Sequence, residues 1–318
     1  MRRRFHSKRL SRIAMLPTLL TLGNLLCGFA AIHFVAKYLA GADLFLAGHA
    51  RVERWLPTHL AIAGYLILAS MVFDALDGRV ARLTRKTSDF GGQLDSLADV
   101  VSFGVAPAFL LIGLIGKALA GDGLAISPSS DLIGGRIVWI LAAIYVCCGA
   151  LRLARFNVEN VHDESSHIAF KGLPIPGAAA LVASLVILHE EVLRRNQDSR
   201  LADVLLWAMP LITLTAGLLM VSRIRYAHIA NRYLRGRRPW RMLFWFLLLL
   251  AVFIVCPQMV MVIITVAYTA SGPIGAAYRR FVPAVAGAGE VLDGGLYGPS
   301  GDGGRVQVLQ RPGEGVRP

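Results

Sequence analysis

The chain has 318 residues, 55% of them hydrophobic and 17% charged, with a formal net charge of +13. Its apolar residues fall in long runs, several near the roughly 20 residues needed to cross about 30 Å of hydrocarbon, which excludes an ordinary soluble core. The basic residues gather at the ends of those runs without interleaved aromatics, so the charge reads as membrane topology and excludes a nucleic-acid surface.

In chain order, the opening MRRRFHSKRLSR reads as a cytoplasmic anchor, because the apolar run after it is span-length and lacks a leader-type cleavage site. Expected spans cover residues 15–38, 59–78, 95–117, 136–155, 174–190, 203–222, 240–256 and 258–276. The fold class is therefore an all-α polytopic membrane protein of about eight helices, the last two divided at Pro257. With the N-terminus inside, cytoplasmic turns hold 25 of the 33 Lys and Arg residues, as the positive-inside rule requires. Residues 223–241 are basic and partly amphipathic, suited to a cytoplasmic loop or to an anionic leaflet.

The domain reading is a basic segment 1–14, a transmembrane catalytic domain 15–276, and a Gly- and Pro-rich disordered tail 277–318. Cys27, Cys147, Cys148 and Cys256 lie inside spans without metal-ligand spacing and read as packing residues. His33, His162, His167 and His189 have no partner at a catalytic or metal spacing.

The informative stretch is DALDGRVARLTRKTSDFGGQLDSLAD, from Asp74 to Asp99. Asp74 and Asp77 share a helix face with Ala81 one turn further on, and Asp95 and Asp99 share another. The short turn between them makes the two helices antiparallel neighbours whose acidic faces converge at the membrane boundary. Like charges in a low-dielectric setting demand compensation, and an all-oxygen set without His or Cys suits Mg²⁺ or Mn²⁺ with phosphate oxygens completing the shell. Gly78 and Gly91 leave room for a bulky ligand at the backbone, and Arg82 can donate to phosphate. The plain counter-reading pairs the acids with Arg79, Arg82, Arg85 and Lys86 at the interface.

Written as D-x2-D-G-x2-A-R-x8-G-x3-D-x3-D, the stretch resembles the signature of the CDP-alcohol phosphatidyltransferase family at every fixed position. The resemblance implies a two-metal site held by Asp74, Asp77, Asp95 and Asp99, with Asp99 also the general base. It further implies that Gly78, Arg82 and Ser88 contact CDP-diacylglycerol. Four passages are similar to the serine-using, membrane-embedded branch: LPTLLTLGNLLCGFAAI, LDSLADVVSFGVAPA, ALRLARFNV and GLPIPGAAA. The first departs from the commoner LPN at Thr18, and within it Thr21 and Asn24 are candidates for the nucleotide side or for interhelical hydrogen bonds.

The expected reaction moves a phosphatidyl group from CDP-diacylglycerol to L-serine, releasing CMP, in a homodimer of the cytoplasmic membrane surrounded by membrane lipids. Arg152 and Arg155, three apart and followed by Asn157, are candidates for the acceptor carboxylate, with positive-inside anchoring the competing role. Competing functions are a sister transferase using glycerol phosphate, inositol phosphate or choline, and a cation transporter lined by the carboxylates.

Overall fold

The computed structural model describes residues 2–41, 57–84, 89–120, 126–127, 132–162, 172–194, 199–224, 226, 247 and 251–281, and most of their side chains. Contacts divide the chain into residues 1–276 and 277–318; of the second unit only 277–281 are described, and the expected tail beyond them lies outside the described residues.

Among the described residues every regular element is helical: α1 (Arg2–Leu39), α2 (His59–Thr84), α3 (Asp89–Asp99), α4 (Ala106–Ala120), α5 (Ile133–His162), α6 (Ile175–Leu188), α7 (Ser199–Val221) and α8 (Pro257–Phe281). Two π-helical stretches interrupt this pattern, Val100–Val105 between α3 and α4 and His189–Leu193 after α6. Seven helices among the described residues are long and apolar enough to cross a membrane, with α3, the first π stretch and α4 forming one span. These match seven of the expected spans; the expected span at 240–256 falls mostly outside the described residues. The protein is an integral membrane protein.

The spans Phe90–Leu119 and Ile175–Leu193 are each 72% buried and form the centre, while the other spans surround them. On α1 the buried positions Thr21, Asn24, Ala31, Val35 and Tyr38 alternate by three and four with the exposed Leu19, Leu22, Leu26 and Phe29. α2 has the matching inner stripe Leu60, Ala63, Ile67 and Ser70, and that stripe runs on into Asp74 and Asp77. The two helices pack along these stripes, so the acids lie on the face that elsewhere carries the core.

Small residues set the closest approaches. A Cβ on Gly28 of α1 would overlap Ser102 of the π stretch, which lets the Ser102 hydroxyl donate to the Asn24 carbonyl at 2.9 Å. Gly172 enters α6 with φ +88°, a conformation natural to glycine, and a Cβ there would overlap the Met220 carbonyl oxygen. Its N–H donates to the Ile224 carbonyl at 2.8 Å and that of Leu173 to Leu219 at 3.0 Å, tying the start of α6 to the end of α7.

Candidate active site

The acid cluster sits where α1, α2 and α3 meet. Carboxylate oxygens from Asp74, Asp95 and Asp99 all lie within 4.8 Å of one another. The Asp77 carboxyl touches that of Asp95, so all four acids of the motif converge, as their spacing implies. Asp77 and Asp99 are buried, at 6% and 8% exposure.

α1 supplies neutral donors to both pairs. The Thr21 hydroxyl lies 2.6 Å from Asp77 Oδ2 and 3.1 Å from the Pro17 carbonyl, both acceptors for its one proton. Asn24, fully buried, donates from Nδ2 to Asp99 Oδ1 at 3.0 Å. The structure thus places Thr21 and Asn24 against the acids. Buried Asp95 Oδ1 and Asn24 Oδ1 have no hydrogen-bond partner, an expensive state for polar atoms that points to a missing ligand.

The π stretch begins immediately after Asp99, and such widened turns recur at functional sites. It is held on both sides, by Ser102 to α1 and by the Tyr145 hydroxyl of α5, which donates to the Phe103 carbonyl at 3.1 Å. Asp99 is therefore positioned by α3, by Asn24 and by an anchored turn behind it. Ser102 and Tyr145 escape a reading of the acid signature; the apolar SFG following Asp99 carries no period that marks a π turn.

Gly78 faces open space, with nothing within 4 Å of where a Cβ would stand, so a ligand can approach the α2 backbone beside the acids. Gly91 lies on the first turn of α3. Ala81 and Arg82 fall in the last turn of α2 with side chains outside those described, and Ser88 lies outside the described residues.

Of the three residues proposed for the acceptor, Arg152 interacts electrostatically with Asp99 of the cluster and with Tyr268 of α8. Its buried Nε has no partner, while its guanidinium lies 6.0 Å from the Phe156 ring centre. Asn157 instead donates to the Ser96 hydroxyl on α3 at 2.9 Å, and Arg155 is half-buried on the same helix. Tyr268, absent from the sequence reading, lies far along the chain and packs where a Cβ on Gly177 would be 3.0 Å from its ring.

The donor set is all oxygen, crowded, and bonded to neutral hydroxyl and amide groups, which fits a hard divalent cation better than a transition metal preferring nitrogen or sulfur. The same arrangement can hold a phosphate-bearing ligand through such cations and accept a proton at Asp99.

Comparison with known proteins agrees with the geometry. The CDP-alcohol phosphatidyltransferase family profile matches residues 14–219. The chain is 33% identical over 214 residues to the CDP-diacylglycerol–serine O-phosphatidyltransferase of Helicobacter pylori (strain ATCC 700392 / 26695), covering 67% of this chain and 71% of that protein. It is 39% identical over 167 residues to the enzyme of that name from Methanocaldococcus jannaschii, covering 52% and 64% of the two chains. With that of Bacillus subtilis (strain 168) it shares 29% identity over 214 residues, covering 67% and 90%. The chain belongs to the CDP-alcohol phosphatidyltransferase family.

Proposed function

We propose that the protein is a metal-dependent CDP-diacylglycerol–serine O-phosphatidyltransferase. The observation that carries this reading is the convergence of four aspartates beside an open glycine backbone, with a partly buried arginine in electrostatic contact with one of them. The relatives' names support serine as the acceptor.

In this reading Asp74, Asp77, Asp95 and Asp99 hold Mg²⁺ or Mn²⁺, two ions in all, which when bound neutralise the pyrophosphate and polarise the phosphorus under attack. Thr21 holds Asp77 and Asn24 holds Asp99 in place, so that the carboxylates need no reorganisation during turnover. Gly78, Ala81, Arg82, Ser88 and Gly91 bind CDP-diacylglycerol, as the family signature implies. Arg152 receives the serine carboxylate, with Arg155 and Asn157 at the outer side. Asp99 takes the proton from the serine hydroxyl as its oxygen bonds to the lipid-linked phosphorus. The phosphorus–oxygen bond to CMP breaks, CMP departs with the bond's electron pair, and phosphatidylserine remains in the bilayer.

The same reading makes the enzyme a homodimer of the cytoplasmic membrane, with the N-terminus and acid cluster on the cytoplasmic side. The orientation is supported by the bias of Lys and Arg toward turns on that side, and the homodimer by family resemblance alone.

Purified protein given CDP-diacylglycerol, Mg²⁺ or Mn²⁺, and separately serine, glycerol 3-phosphate, inositol phosphate or choline tests the proposal. Release of CMP with serine alone is the expected result. Release with a different acceptor would overturn the serine assignment, and folded protein releasing no CMP with any acceptor would overturn the transferase.

A further inference from the structure

A second polar centre lies at the other end of the helices. Tyr38 is 14 residues along α1 from Asn24, or about 21 Å at 1.5 Å per residue, so this centre sits across the hydrocarbon from the acid cluster. It surrounds a cavity of about 200 Å³ lined by Tyr38, Lys117, His189, Glu190 and Arg194.

Glu190, only 1% exposed, is already balanced. Arg194 Nη1 lies 3.0 Å from its Oε2, and the Tyr38 hydroxyl donates to Oε1 at 3.4 Å. Arg194 Nη1 also reaches the Tyr38 oxygen at 3.3 Å. Among the described residues all of Arg194's bonds run from Nη1, which leaves the Nη2 and Nε edge of a half-exposed guanidinium free to donate. Lys117 is held 4.5 Å from the Tyr38 ring centre, and no carboxylate among the described residues pairs with it. His189 is 7% exposed, and its Nδ1, 3.3 Å from Glu190 Oε1, makes no hydrogen bond.

With Glu190 matched by Arg194, Lys117 is, among the described residues that line the cavity, a cation without a carboxylate partner, and it faces a space of head-group size. The remaining wall is apolar, formed by Leu114, Ala118 and Leu206. A cationic rim over an apolar wall at the edge of the hydrocarbon suits a ligand that is itself charged at one end and greasy at the other.

We infer that this cavity binds the phosphate of an anionic phospholipid from the leaflet opposite the acid cluster, with Lys117 and the free edge of Arg194 as its donors. Lys117 supplies a point charge and Arg194 a planar fork, and both can reach one phosphate without disturbing Glu190. The site goes beyond the proposed reaction and does not depend on it.

Native mass spectrometry of the full-length protein with added phosphatidylglycerol, which has no amine, tests the inference, with diacylglycerol as the phosphate-free control. Lys117→Gln should retain phosphatidylglycerol about tenfold less well than wild type, the loss of one charged contact, and Lys117→Arg should restore it. In wild type alone, phosphatidylglycerol should raise the melting temperature and diacylglycerol should not, a readout that stands even if Lys117→Gln folds poorly. Equal retention by wild type and well-folded Lys117→Gln would overturn the site. Displacement of the lipid by millimolar inorganic phosphate would overturn the lipid as its ligand in favour of free phosphate.

Discussion

The two ends of the helix bundle treat buried acid in opposite ways. At one end Asp74, Asp77, Asp95 and Asp99 crowd together with neutral partners, Thr21 and Asn24, and with buried oxygens that bond to nothing. At the other, Glu190 is more deeply buried yet matched by a guanidinium and a phenol, and it holds Arg194 above its ordinary range. The neighbouring Glu191 is likewise satisfied, accepting from the Tyr65 hydroxyl and from Gln258 Nε2, each at 2.7 Å. A satisfied acid stabilises the fold that contains it; a crowded, undersupplied one holds free energy that a bound cation can release. Burial therefore separates the two centres less well than the balance of partners around each acid.

The contrast can be broken by substitution, beginning with the largest effect. Asp99→Asn keeps the shape and the Asn24 contact but removes the base, and should lower turnover about 10²–10⁴-fold while CDP-diacylglycerol binding persists; normal turnover would remove Asp99 from that role. Gly172→Ala should cost about 3 kcal/mol in thermal or denaturant unfolding, because it forces a side chain into a positive-φ position against the Met220 carbonyl. That loss should be independent of divalent cations, since Gly172 is part of neither acid centre.

Glu190→Gln should cost about 2 kcal/mol, less than for a fully buried pair because Arg194 is half exposed. Asp95→Asn should do the reverse: without divalent cations it relieves repulsion and should raise stability by about 1 kcal/mol. If both substitutions destabilised the metal-free protein equally, the difference between the two centres would be lost.

Much of this was legible because helices are periodic. Spacings of three and four put Asp74 with Asp77 and Asp95 with Asp99, and a short turn brings the pairs together; no further information is needed to place the cluster. The spans follow from hydropathy in the same way, and the family follows from a signature whose fixed positions are all present. Thr21 and Asn24 were legible as candidates, since polar residues on an apolar helix seek partners, but which acid each meets depends on how α1 lies on α2. The π turn after Asp99 was not legible, because one additional residue in a turn leaves the apolar pattern of VVSFGV unchanged. Tyr268 was missed for a related reason: its neighbour Arg152 comes from a distant helix, and sequence spacing carries no record of that approach.

The most direct test of the account is the binding of Mn²⁺ to purified protein in the presence of CDP-diacylglycerol, measured by titration for wild type and for Asp95→Asn. Wild type should bind saturably, neutralising Asp95 should lower affinity by at least about tenfold, and Lys117→Gln at the opposite end should bind unchanged. Equal Mn²⁺ affinity in wild type and Asp95→Asn, with both proteins folded, would contradict it.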